Sequence, residues 1–232
     1  MQRYFALDEK LTLDKSDYHH IKNVMRMKKD DIIEVVYENI IYKCKVDPKN
    51  EILNVVEKKE EEENKIKIMV AFSLLKEQKI DYLMQKATET GAYSFIPLIT
   101  NRTIIKYNEK KDDSKKARWK KIVKEASEQS FRVNMPIIND VCLLKNLDNY
   151  EADLKILFTL NEKTENIKKV LAKNNKCDKI LIVVGPEGGF SKEEEDLLVN
   201  QGFISTSLGK NVLRAETAPV VAISMINYEF MR

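Results

Sequence analysis

Hydrophobic and polar positions follow one rhythm early in the chain and another after it. Ile32-Ile33-Glu34-Val35-Val36-Tyr37, following the Asp30-Asp31 turn, reads as a strand, and the weaker alternation of Ile40 to Val46 reads as its hairpin partner. Asp47-Pro48-Lys49-Asn50 is a turn by composition, and Ile52 to Val56 is a further strand. Tyr18 to Met27 is a short helical patch. Glu57 to Lys65 carries no apolar residue and marks a boundary. Residues 1–66 therefore predict a small β-rich domain, of a size more common in binding modules than in enzymes.

Beyond that boundary strands and helices alternate. Ile66 to Leu74 is a mostly apolar strand, and Ile80 to Thr90 is a helix with Ile80, Leu83, Met84 and Ala87 on one face, stopped by Gly91. Strands follow at Phe95 to Leu98, Leu154 to Leu160, Lys179 to Val184 and Phe203 to Leu208, with a short extended piece between Pro136 and Val141. Helices are expected at Trp119 to Ser130, at Thr164 to Lys173 and after Ser191, where Ser191 and Glu194 form a capping box. A last helix has Pro219 in its first turn and Ala218 or Thr217 at its cap. Val220, Val221, Ile223 and Ile226 make its start apolar nearly all round, so it is buried against the sheet or a second subunit. The alternation predicts an α/β domain over 67–232, a mostly parallel sheet with helices on both faces.

Composition narrows the chemistry. A net charge of +3 names no partner, but the stretch from Asn101 to Arg132 holds eleven Lys or Arg against five Asp or Glu. A basic helix beside Trp119 suits a phosphate backbone, and Lys120 lies on it. Arginine is scarce, with seven in the chain, so each is a candidate for bidentate or stacking work. Arg102, after a strand's carboxyl end, and Arg132, after a helix, read as functional; Arg118 and Arg232 read as surface cations. Three separated cysteines and two adjacent histidines imply no disulfide framework and no metal site. No signal peptide and no membrane-length apolar run is apparent, so a cytoplasmic location is expected.

Five of the six glycines fall between Gly185 and Gly209. Gly185-Pro186-Glu187-Gly188-Gly189-Phe190-Ser191 joins a strand to a helix N-terminus, and Leu208-Gly209 follows the next strand. We read the two loops as the lips of one ligand site. Neither the Walker pattern nor the dinucleotide fingerprint is present. Glu187, Glu193, Glu194, Glu195 and Asp196 against Lys192 repel phosphate and tolerate a cation or a neutral ring.

The glycine loop, with Leu208-Gly209, Val212-Leu213-Arg214 and Glu216-Thr217-Ala218, resembles the RsmE family of ribosomal RNA uracil-N3 methyltransferases in the SPOUT superfamily. The likeness includes Arg3-Tyr4-Phe5, His19-His20, Val24-Met25-Arg26, Lys86-Ala87-Thr88-Glu89 with Gly91, and Glu125-Ala126 with Glu128-Gln129-Ser130. Phe131 stands where the family usually has glycine, and Thr159-Leu160-Asn161-Glu162 lacks the proline or histidine often found there. The resemblance implies a PUA-like RNA-binding barrel over 1–66, a SPOUT domain with a deep trefoil knot over 67–232, and a homodimer through the knot domain. It further implies S-adenosylmethionine held by Thr159, Leu160, Gly185, Pro186, Glu187, Gly188, Gly189, Leu208, Gly209, Leu213, Arg214, Thr217 and Ala218. Arg214, Arg132 and Arg102 are then the catalytic candidates, with Arg3, Arg26, Arg102, Lys120 and Arg132 on small-subunit ribosomal RNA and no metal. The rival readings are an enzyme acting on another RNA or base, a non-catalytic RNA-binding protein and a nucleotide hydrolase.

Overall fold

The computed structural model describes residues 1–61, 65–103, 105, 112–162 and 165–230. The end of the charged boundary run, part of the basic cluster at 106–111, Thr164 at the expected helix start, and Arg232 lie outside them. The chain forms two compact units, one of Met1–Glu63 with Lys124–Met135, the other of Asn64–Val123 with Pro136–Arg232. This division differs from a single cut at residue 66 by Lys124–Met135, because charge composition marks where a chain leaves a unit and not where it returns.

The first unit is a four-stranded sheet in the order β1-β2-β3-β4: β1 Arg3–Phe5, β2 Asp31–Tyr37, β3 Ile40–Asp47 and β4 Ile52–Glu60. β1, too short to show a period, runs parallel to β2; the other pairs are antiparallel. Helix α1, Lys15–His19, is capped by Asp14 in a capping box and widens into a π turn over His20–Val24. Tyr4, Ile21, Ile33, Val35, Cys44 and Val46 form the core. β4 runs past the expected Val56: after a bulge at Lys43/Cys44, Glu57 to Glu60 pair with Lys43 to Ile40. The start of the charge run is thus an exposed edge strand, where charge costs no burial and discourages further pairing.

The second unit is a parallel sheet ordered β11-β9-β10-β5-β6-β7. Its strands are β5 Lys67–Ser73, β6 Ala92–Ile99, β7 Ile137–Ile138, β8 Cys142–Leu143, β9 Leu154–Phe158, β10 Lys179–Val184 and β11 Ile204–Thr206, with β8 also paired to β6. The helices are α2 Glu77–Glu89, α4 Ile167–Lys173, α5 Lys192–Asn200 and α6 Ala218–Phe230, while α3, Asp112–Gln129, starts here and ends in the first unit. β10 explains why its sequence is a continuous apolar run. Ile180, Ile182 and Val184 face a core with α2, α4, α6 and Trp119, whereas Leu181 and Val183 face one with Leu147, Phe190 and Leu198.

Three departures from the sequence reading matter to function. β9 stops at Phe158, so Leu160 is in a turn and 67% exposed. α6 is buried on one side only within the chain: Ala222, Ile223 and Ile226 are fully buried, while the apolar Met225 and Tyr228 are exposed. Arg118 is no lone surface cation, since it pairs with Glu77 and Asp81 of α2.

Candidate functional site

Parallel strands that share a register bring their following turns together. Val184 of β10 aligns with Phe158 of β9, and Phe158 with Thr206 of β11. The turns after the three strands therefore open side by side at the carboxyl edge of the sheet, the usual place for a ligand in an open α/β fold. They carry Thr159 and Leu160, Gly185 to Ser191, and Leu208 to Thr217. Thr159 N–H donates to Thr206 O at 3.1 Å, continuing the alignment one residue beyond the strands.

The middle turn is held from several sides. Gly189 N–H donates to Pro186 O at 2.9 Å, and Gly189 sits at φ +67°, where a side chain is strained. A Cβ on Gly185 would lie 3.2 Å from the buried Phe190 ring. Ser191 caps α5, and Glu194 returns a bond to Ser191 N–H at 2.9 Å. The other Glu194 oxygen accepts from Asn101 N–H at 2.7 Å. Arg102 donates through Nη1 to Gly188 O at 2.6 Å and Phe190 O at 3.2 Å. Arg102 thus lies beside the glycine loop, with Nη1 of its exposed guanidinium on that loop's carbonyls.

The acidic field inferred from composition is largely internal. Glu195 accepts from Thr159 Oγ1 at 2.5 Å and from Asn161 Nδ2 at 3.0 Å, tying the β9 turn to α5. Asp196 pairs with Lys192 at 2.8 Å. Glu187 pairs with Lys79 of α2 at 2.9 Å. That pair lowers the Glu187 carboxyl below its ordinary range and raises the Lys79 ammonium. Lys79 also stands 3.6 Å from Glu216 Oε2, a buried oxygen with no hydrogen-bond partner among the described residues.

The third turn is more open. Gly209 has φ +133°, Leu208 and Leu213 are half-buried, and Val212 is exposed. Arg214 O accepts from Thr217 N–H at 2.9 Å and Ala218 N–H at 3.0 Å, closing the turn into α6. The Arg214 side chain is 81% exposed and 3.9 Å from Glu216, so its donors are available at the mouth of the site. Backbone at Gly185 and Gly188, a lip at Leu208 and Leu213, and a buried carboxylate with one oxygen free of hydrogen bonds fit a ligand that joins a flat neutral ring to a separate positive charge. Lys79 was not singled out from sequence; nothing in a lysine one turn into a helix reveals two acids brought from over a hundred residues away.

Of the remaining candidates, Arg3, Arg26 and Arg132 belong to the first unit and Lys120 to the second. Arg3 was expected on RNA, but it is 6% exposed and bonded through all three of its side-chain nitrogens. Its Nε and Nη2 hold Glu34, its Nη1 holds the carbonyls of Phe131 and Arg132, and it stacks on the Phe131 ring at 5.2 Å. It is a structural tie, with four of its five N–H donors already bonded inside the unit. Phe131 itself has φ +56°, which explains why the RsmE pattern has glycine there. Arg132 points back to Asn134 O at 3.2 Å and Oδ1 at 3.0 Å. Arg26 is exposed in a left-handed conformation after the π turn, and Lys120 is exposed on α3. The basic cluster is less positive than its composition, because Lys116 pairs with Asp140 and Lys124 with Asp17 and Glu128. No group of three or more metal-ligating side chains occurs among the described residues.

Known proteins agree with this architecture. The family model described as an RNA methyltransferase domain matches residues 62–227, and that of an RNA methyltransferase PUA domain matches 13–56. The ribosomal RNA small subunit methyltransferase E of Bacillus subtilis is 34% identical, covering 99% of this chain and 97% of its own. That of Aquifex aeolicus is also 34% identical, covering 93% of each chain. A putative methyltransferase of Legionella pneumophila, solved with its cofactor SAM, superposes with a TM-score of 0.89 at 26% identity, over 98% of this chain and 97% of that one. A methyltransferase E of Neisseria gonorrhoeae shares the fold, with a TM-score of 0.86 at 22% identity over 98% of this chain and 97% of that one.

Proposed function

The chain belongs to the RNA methyltransferase family that includes ribosomal RNA small subunit methyltransferase E, and we propose that it methylates N3 of a uridine in small-subunit ribosomal RNA. The donor is S-adenosylmethionine, which supplies an electrophilic methyl group on a sulfonium. The observation that carries the reading is the convergence of three strand-end turns on one edge, with glycine backbone, two leucine lips and a buried carboxylate among them. Thr159, Gly185 to Gly189, Leu208, Gly209, Leu213 and Thr217 to Ala218 hold the donor.

This chain's share of the chemistry is alignment and electrostatics. Methyl transfer in line needs the uracil nitrogen held against the donor, with its proton already lost. Arg214, exposed at the mouth, stabilises the resulting negative charge on the uracil oxygens. Arg102 acts one step back, by fixing the Gly188 and Phe190 carbonyls. Arg26, Lys120 and Arg132 contribute to RNA binding, the 1–66 region acting as the PUA-like RNA-binding module. A deep knot in the 67–232 region, a homodimer through it, in which Met225 and Tyr228 of α6 are covered, and a cytoplasmic location complete the proposal. No described helix is long and apolar enough to cross a membrane.

Calorimetry with S-adenosylmethionine, and mass spectrometry of ribosomal RNA from a strain lacking the gene, test the reading. Absence of donor binding, or an unchanged methylation pattern, refutes it. Arg214→Ala is expected to lower turnover far more than donor affinity; unchanged kcat removes Arg214 from the mechanism.

A further inference from the structure

Lys79 has no role in the account so far, and its surroundings are unusual. It stands in the first turn of α2 and reaches carboxylates on two different lips, Glu187 at 2.9 Å and Glu216 at 3.6 Å. Glu187 follows β10, and Glu216 precedes α6. Glu216 is 8% exposed, and its Oε2, which faces Lys79, has no hydrogen bond. Its other oxygen has Arg214 at 3.9 Å, a side chain largely in solvent. A buried carboxylate left under-bonded is costly, and the chain keeps one where two lips of a ligand site meet.

We infer that Lys79 is a positioning residue that joins the two lips and offsets Glu187 and Glu216, thereby setting how strongly the site prefers the cationic methyl donor over its neutral thioether product. The inference rests on the methyltransferase reading above. Donor and product differ by one methyl group and one positive charge at sulfur. In the transfer the methyl carbon–sulfur bond breaks and its electron pair stays on sulfur. The carbon bonds to uracil N3, whose proton has gone to solvent water. Positive charge at sulfur therefore fades towards the transition state. Two uncompensated carboxylates hold the starting charge more strongly than the fading one, which tightens donor binding without aiding the reaction. Lys79 cancels part of that field, so the donor is bound without being trapped. The other acids of the region cannot do this work, because Glu194, Glu195 and Asp196 are each committed to a cap, a turn or a helix pair.

The test is calorimetry on the full chain with S-adenosylmethionine and S-adenosylhomocysteine in turn. Lys79→Gln removes one positive charge, and the ratio of product Kd to donor Kd is expected to rise roughly three- to fivefold at low salt and to shrink as salt is added. Lys79→Arg keeps the ratio of the unaltered protein. Glu216→Gln is expected to move the ratio the other way, which guards against a Lys79 variant that folds poorly. Single-turnover methyl transfer by Lys79→Gln is expected to be slower at saturating donor. If Lys79→Gln weakens both ligands by the same factor, or leaves the ratio unchanged, Lys79 is a strut only and the inference fails. If the unaltered chain binds neither ligand, the methyltransferase reading itself fails, a result distinct from an unchanged ratio.

Discussion

Glu128 gives the clearest energetic prediction. Its carboxylate is 3.1 Å from Lys124, which is already paired with Asp17, a residue only 4% exposed. One ammonium thus serves two largely buried carboxylates. Burial, opposed by Lys124 and helped by Asp17, pushes the Glu128 carboxyl from its ordinary 4.5 up to about 7. Tyr4 faces the same cluster, its hydroxyl bonded to His20 Nδ1 at 2.9 Å, and its own ionisation is pushed upward by burial and by Glu128. Since the folded chain binds the Glu128 proton more tightly than the unfolded chain, it holds more protons between pH 4.5 and about 7. Stability must therefore fall as pH rises through that window and level off above it. The shift corresponds to about 3 kcal/mol, which solvent screening of a partly exposed group reduces to roughly 2 kcal/mol. Carboxylates such as Asp14, Asp47 and Asp153 are lowered by hydrogen bonding, and their contribution is lost only as pH falls through more acidic values. The assay is urea unfolding from pH 5 to 8, followed by circular dichroism for both units and by the single, buried Trp119 for the second unit alone. Glu128→Gln is expected to abolish the slope of the first unit's transition. A stability that rises from pH 5 to 8, or an equal slope in both proteins, refutes the reasoning.

Three other substitutions follow from the geometry. Phe131→Gly relieves a left-handed residue but loses the ring under Arg3, whereas Phe131→Ala loses the ring and keeps the strain; the glycine variant should be the more stable by about 1 kcal/mol in urea titration, and equal stabilities refute the strain. Gly185→Ala forces a methyl group to within 3.2 Å of a ring that is only 6% exposed, so the packed ring must shift. A loss of about 1–3 kcal/mol in stability and on the order of tenfold in donor affinity is expected, and unchanged melting and calorimetry contradict it. Arg102→Ala frees the Gly188 and Phe190 carbonyls, and donor affinity should weaken roughly fivefold, given about 1 kcal/mol for an exposed charge-assisted pair. A fall in kcat with unchanged affinity instead returns Arg102 to the catalytic group.

Much of this fold was legible because its signals are local. β10 matches its expected span residue for residue, since six apolar or terminal positions between a polar turn and a glycine admit one reading. The capping box at Ser191 is as expected, because it needs only residues three apart. The misses are non-local. β1 has three residues and exists through its register on β2. β4 continues into charged residues because β3 offers it a partner, whatever the propensity of Glu57 to Glu60. α3 carries its last residues, from Lys124 to Gln129, into the first unit, which no boundary drawn from composition can express.

The candidate site divides along the same line. Turns after strands were readable as ligand loops because glycine and strand ends are local signals. The state of each charge was not, since a charge is defined by what folding puts opposite it. Arg3 looked like a free cation at the head of the chain and is bonded through all three of its side-chain nitrogens. The acidic run after Gly185 looked like a field for a sulfonium, yet most of its carboxylates are bound within the turn, the cap and the helix. What remains is Glu216, quoted in the sequence only as part of a motif, with Lys79 approaching from α2 and Arg214 at the rim. In the reading proposed above, the cation preference first assigned to a whole acidic stretch resolves onto Glu187 and Glu216 and the lysine that tempers them.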